Sequence, residues 1–207
     1  MLRTYRYGEA DCIVVFLTAD RGKKRGVAKN AVKSRRRFGG ALEPLTRGQA
    51  TYVEREHREL VRLDRIDPVS SALCAAGASD ALSYLAYFAE LLDEWAQDGQ
   101  ANERLFRLGA AVGQALYDGG SPDVLARYFE FWLLKLEGVY PGLDACNLSP
   151  AARAFLTSAT IYTPEQAGAA AVSPAALREM EHVHHRLIAT HLEKELRSAR
   201  VLKELRS

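Results

Sequence analysis

Apolar positions change their rhythm once along this chain, and the change falls near residue 68. Before it, the apolar residues run together or alternate. Residues 12–18 (CIVVFLT) are continuous, β-branched and aromatic, as in a strand buried on both faces or closed into a barrel. Ala19-Asp20-Arg21-Gly22 then has hairpin chemistry, with a glycine free to take φ > 0. Gly26-Val27-Ala28 resumes an extended segment, and Gly39-Gly40 interrupts it. Residues 49–54 and 59–66 predict two more strands, joined by a charged turn at residues 55–58. So many short strands in so short a stretch favour a small barrel, because closure removes exposed edges.

After Pro68 the spacing becomes helical. Leu82, Leu85, Ala89, Leu92 and Ala96 predict an amphipathic helix over 79–97, and Leu105, Leu108, Val112 and Leu116 a second. Leu125, Phe129, Trp132 and Leu136 mark a third, closed by Gly138. Leu177, Met180, His184, Leu187 and His191 mark a fourth, with a short terminal helix running through Leu202. Ser121-Pro122, Ser149-Pro150 and Ser173-Pro174 each put an N-cap serine before proline at the first helical position. Residues 97–102 and 156–172 read as loops, and no solenoid-like repeat is present. The fold class expected is α+β, with a β-barrel over 1–70 and an all-α domain over 71–207.

Charge divides at the same place. Residues 1–67 hold 16 Lys/Arg against 9 Asp/Glu, a net of +7; residues 68–207 hold 12 against 17, a net of −5. Such asymmetry points to different partners for the two parts. Cys12, Cys74 and Cys146 are odd in number and form no CxxC pair, so a disulfide framework is not expected. No apolar run reaches the roughly 18 residues of a membrane span, and no cleavable leader pattern opens the sequence. The expectation is a soluble, cytoplasmic chain that contacts no membrane.

Nine basic residues fall between 21 and 37 with no acid among them: Arg21, Lys23, Lys24, Arg25, Lys29, Lys33, Arg35, Arg36 and Arg37. Like charges repel, so folding alone gives no reason to gather them. Phosphates do, because each one neutralised releases condensed counterion. Phe38, with Tyr5 and Tyr7, offers faces for base stacking. The plainer reading is a solvated loop, but solvated surfaces ordinarily mix both signs. Charge alone specifies a polyanion and does not separate DNA from RNA.

Other candidates read more simply as structure. His184 and His191 share the apolar face of one helix and read as packed histidines. His182 and His185 lie on another face with no Cys or carboxylate to complete a metal tetrahedron. Asp93, Glu94 and Asp98 read as a solvated helix side beside Trp95, and Phe129 and Trp132 as core. No P-loop spacing and no nucleophile–base arrangement is present, so neither an enzyme nor a cofactor is expected.

Several segments together resemble the RecO family of recombination mediators. They are Leu2-Arg3-Thr4-Tyr5-Arg6-Tyr7-Gly8-Glu9-Ala10-Asp11, then Asp20-Arg21-Gly22, then the basic run into Ser34-Arg35-Arg36-Arg37-Phe38-Gly39-Gly40. Ala101-Asn102-Glu103-Arg104-Leu105-Phe106, residues 129–141, His191-Leu192 and Leu196-Arg197-Ser198-Ala199-Arg200-Val201-Leu202 continue it in order. The resemblance implies an N-terminal OB-fold, a helical C-terminal domain, and binding of single- and double-stranded DNA. It also implies strand annealing and loading of RecA onto strands coated by single-strand-binding protein. The partners it implies are RecR and the C-terminal tail of that coating protein, with a RecF-type protein as a further candidate. Its setting would be the bacterial cytoplasm, at the nucleoid.

Two departures stand out. Many family members hold a zinc on four cysteines, whereas here Cys146 stands at the first ligand position and Ser149 at the second, so no structural zinc is expected. Relatives have residues before the Leu2 motif, so this chain is expected to begin inside its first strand, with a barrel edge unpaired. Two competing readings remain: an RNA-associated OB-fold protein, and a scaffold whose basic loop binds an acidic protein.

Overall fold

The apolar run becomes β2, a strand buried on both sides. The computed structural model describes residues 1–34, 36–70 and 79–205, and Arg35 and Cys74 lie outside that set. Its strands are β1 (Arg3–Tyr7), β2 (Asp11–Thr18), β3 (Gly22–Ala28), β4 (Arg47–Val53) and β5 (Val61–Ser70). Helices α1 (Ser79–Trp95), α2 (Glu103–Tyr117), α3 (Pro122–Leu136), α4 (Pro150–Ala159), α5 (Pro164–Gly168), α6 (Pro174–Leu192) and α7 (Arg197–Leu205) follow. The chain divides into two compact units, residues 1–110 and 111–207, with the division inside α2.

In the first unit the strands form one sheet in the order β1-β2-β3-β5-β4, antiparallel except for the parallel β3–β5 pair. This is the OB-fold arrangement, but the sheet is not closed: β1 and β4 remain its two edges. The segments just ahead of them meet at Met1, whose backbone N donates to Thr46 O at 2.8 Å while its carbonyl accepts from Leu45 N at 2.9 Å. Val14 and Phe16 point inward to a core completed by Ala28, Phe38, Leu63 and Ile66. Gly26 permits the parallel contact, since a Cβ there would lie 2.8 Å from the Val61 side chain.

The other face of β2 and β3 carries Val15, Leu17 and Lys23, all buried. Here the reading of the α1 acids as a solvated side is corrected. Arg3 Nε lies 2.7 Å from Asp93 and Arg3 Nη2 2.9 Å from Glu94. Lys23 Nζ lies 3.3 Å from the Asp93 carboxylate and donates to the Asp93 carbonyl at 2.6 Å. The acids face a sheet whose first and third strands carry cations, which a helical wheel of α1 alone does not reveal. Residues 97–100 then dock on β3: Lys23 N donates to Gln97 O at 3.2 Å and Gly99 N to Lys23 O at 3.0 Å. The approach is so close that a Cβ on Gly22, whose φ is +67°, would lie 2.2 Å from Gln100 O.

In the second unit α3 packs against α4, α5 and α6, burying Val124, Leu125, Phe129, Phe131, Leu133 and Leu134. All three Ser-Pro starts are real. Ser149 and Ser173 accept from Ala152 N and Ala176 N, while Ser121 makes no side-chain cap bond. The loop expected over 156–172 is not one: α4 continues to Ala159, and Thr163 opens α5 with a capping box to Gln166.

The histidine assignment also changes. His184 is fully buried, but His191 is exposed. A carboxylate does stand beside the histidines: Glu130, fully buried on α3, lies 3.0 Å from His184 Nδ1 and 3.5 Å from His185 Nε2. Arg127 Nη2 approaches Glu130 at 3.0 Å, and Tyr140 Oη lies 3.2 Å from His184 Nε2. These are hydrogen-bond lengths, and both nitrogens of the His184 ring already have a protein partner. Burial alone would raise the Glu130 carboxyl, but Arg127 and the bonds from His184 and His185 hold it well below the usual carboxylate range. Burial holds the His184 ring below its ordinary value, against the upward pull of Glu130. A neutral His184 that donates from Nδ1 to Glu130 and accepts at Nε2 from Tyr140 satisfies every bond.

The residues at the zinc position that the resemblance implies do not fit that metal. Cys146 is a single buried thiol, and the Ser149 hydroxyl caps α4 and lies 2.5 Å from Glu179 Oε2. Among the described residues no group of three or more His, Cys, Asp or Glu converges as a metal site.

Candidate nucleic-acid interface

Folding sorts the ten residues of the basic stretch into different roles. Lys23 is 8% exposed and committed to Asp93. Lys24 points to the barrel side and pairs with Glu54, and Arg25 lies 3.5 Å from Asp98. Arg21 sits 3.5 Å from Asp20 with both side chains in solvent. Arg37 is a strut: Nη2 donates to Lys29 O at 2.6 Å and Nε to Ser34 Oγ at 3.0 Å, which ties the segment after β3 into a compact turn. Lys29, Lys33 and Arg36 are exposed and make no ion pair among the described residues. Arg35 lies outside those residues.

Phe38 is corrected as a stacking face. It is 2% exposed, in the core with Phe16 and Ile66, and the Arg37 guanidinium lies 5.1 Å from its ring centroid. A ring surrounded by core offers no face to a base. Phe38→Leu is therefore expected to lower unfolding free energy by about 1 kcal/mol and leave nucleic-acid affinity unchanged. Denaturant melts and fluorescence anisotropy check both halves; an affinity loss without a stability loss contradicts the assignment.

The free cations are not isolated. At the same end of the sheet lies a groove of about 650 Å³, lined by Tyr7 from β1, Lys29 after β3, and Arg55, Arg58 and Arg62 around the β4–β5 turn. Arg55 and Arg58 are exposed without ion pairs among the described residues, while Arg62 bonds Asp64 at 2.9 Å. Tyr7 is 56% exposed and keeps an open ring face. Two acids also stand on the wall: Asp11, which already accepts from Asn30 N at 2.8 Å, and the exposed Glu59. Charge counting missed the arginines because Glu56 and Glu59 alternate with them in sequence. Groove walls formed by separate strands supply the missing signal.

Comparison with known proteins agrees with this architecture. Residues 1–72 match the family model for Recombination protein O N terminal, and residues 77–153 match that for Recombination protein O C terminal. A DNA repair protein RecO of Koribacter versatilis is 43% identical over 146 residues, covering 70% of this chain and 59% of that protein. One from Anaeromyxobacter sp. strain K is 42% identical, with 70% and 58% covered. One from Geobacter sulfurreducens is 40% identical, with 70% and 59% covered. The aligned part of the chain spans somewhat under three fifths of these relatives' length. With both family models placed in order on an open OB-type sheet and a helical second unit, the chain belongs to the RecO family.

Proposed function

We propose that this chain is a non-enzymatic DNA-binding mediator of recombinational DNA repair. Its primary contact is with the sugar-phosphate backbone, at the sheet end bearing Lys29, Lys33, Arg36 and the groove of Arg55, Arg58 and Tyr7. The observation that carries this reading is the set of unpaired cations from two separated segments, Lys29 after β3 and Arg55 and Arg58 in the β4–β5 turn, around one groove with an exposed aromatic ring on a third. Backbone contacts carry no base information, so sequence preference is poor. Stacking on Tyr7 favours unpaired strands.

Family membership extends the reading. The chain anneals complementary strands and helps load RecA onto DNA coated by single-strand-binding protein, working with RecR, the tail of the coating protein and a RecF-type partner. Its setting is the bacterial cytoplasm. Among the described residues no helix is long and apolar enough to cross a membrane.

The test has two levels. The chain should bind an unstructured single strand with a log–log salt slope of about −0.7 for each phosphate engaged. It should then anneal complementary strands that carry single-strand-binding protein. Salt-insensitive binding, or preference for a matched RNA strand, removes the DNA reading. Binding without annealing of coated strands removes the mediator role alone.

A further inference from the structure

Helix α6 sorts its charges by side. Its two carboxylates turn toward neighbouring helices: Glu179 accepts from Ser149 N at 2.8 Å, and Glu181 lies 3.9 Å from Arg127 on α3. Arg178, His182 and Arg186 are exposed and make no ion pair among the described residues. Steps of four residues set these three on one line along the helix, about 6 Å apart at each step. A helix whose acids and bases look interleaved in sequence therefore presents two arginines and a histidine, and no acid, along this line.

Folding gives no reason for that arrangement. Opposite charges four apart stabilise a helix by a few tenths of a kcal/mol, and like charges cost as much. Here the two arginines flank a histidine, and the acids that would ordinarily neutralise such a line are bonded elsewhere. A row of guanidinium groups with planar forks matches phosphate geometry better than it matches bulk water.

We infer that the outer line of α6 is a second backbone-binding face, which takes the phosphates of a single DNA strand on the helical unit. Arg178 and Arg186 hold phosphates, and His182 donates between them. The inference rests on the annealing function proposed above and deepens it. Annealing requires two strands held at once, and α6 gives the second unit a strand site separate from the groove on the sheet.

The experiment compares the full chain with an Arg178→Glu/Arg186→Glu variant and with Arg178→Lys/Arg186→Lys. The readouts are anisotropy of a labelled oligo(dT), annealing of complementary oligonucleotides, and thermal melting. The reversed pair should anneal at least tenfold more slowly and flatten the salt slope by about 1.4, which is 0.7 for each of two phosphates. It should keep its melting temperature, because both side chains are exposed, and the lysine pair should retain most of the annealing. Should the glutamates unfold the unit, Arg178→Gln/Arg186→Gln gives the same comparison with a smaller change. Unchanged annealing and slope in the reversed variant, beside an active unmutated chain, overturn the inference while leaving the DNA reading standing. In a parallel anisotropy titration with labelled polyglutamate, a loss of binding by the reversed variant with its DNA behaviour intact also overturns it, by assigning the face to an acidic protein. An unmutated chain that binds no DNA defeats the parent reading instead.

Discussion

Replacing Glu130 with alanine is expected to remove about 3–5 kcal/mol from the second unit, a large share of the roughly 5–15 kcal/mol that holds an ordinary domain folded. Glu130 is fully buried and Arg127 nearly so, and Arg127 Nη1 already lacks a partner among the described residues. Without the carboxylate, a guanidinium is left between α3 and α6 with Glu181, at 3.9 Å, as its remaining ion-pair partner among the described residues. His184 loses its Nδ1 acceptor at the same time. The penalty is that of an unpaired buried charge, not the worth of the original pair. Exchanging Arg127, Glu130 and His184 together for methionine and leucines should therefore recover much of the loss. Denaturant unfolding followed at Trp132 measures both variants. An alanine variant within about 1 kcal/mol of the parent would show that solvent reaches the cluster.

The same cluster sets an acid sensitivity. His184 has its folded pKa lowered, so below its ordinary value of 6.5 the unfolded chain takes up a proton that the folded one does not. Stability then falls as the pH drops from about 7 toward the lowered value. Glu130 is likewise lowered from 4.5, so its contribution is full above that value and is lost on further acidification. Both act in one direction, giving a two-stage decline in melting temperature. His184→Gln should flatten the upper stage and leave the lower.

Reversing Lys29, Lys33 and Arg36 to glutamate is expected to weaken single-strand binding by more than tenfold near physiological salt. The magnitude of the salt slope should fall by about 2, at 0.7 for each of three phosphates. All three are exposed and without ion pairs among the described residues, so the melting temperature should hold. Lys24→Gln and Arg25→Gln, whose cations already face Glu54 and Asp98, should cost much less. Arg37 must be left out of such a set, because it ties Lys29 to Ser34 and its reversal would disturb the turn itself. Equal losses from the free and the paired residues would mean that total charge, and not this surface, governs binding.

Local rules decided much of the architecture before any packing was known. The continuous β-branched run fixed β2, because few other segments can be buried on both faces. The Ser-Pro pairs fixed three helix starts, because proline's missing N–H costs nothing there. Thr163-Pro164 with Gln166 carried the same signal for α5, but too few apolar positions follow it to show a period. The density of basic residues between 21 and 37 likewise pointed to a polyanion. Only the tertiary structure decided which of those cations remain available. Lys23, Arg37 and Phe38 are adjacent in composition to Lys29, Lys33 and Arg36, yet they serve the acids of α1, the turn and the core. The arginines of the β4–β5 turn joined the surface, and the carboxylates of α6 left theirs, for the same reason. A charge is neutralised by what lies beside it in space, and in this chain several of those partners stand tens of residues away, such as Lys23 with Asp93 and Lys24 with Glu54.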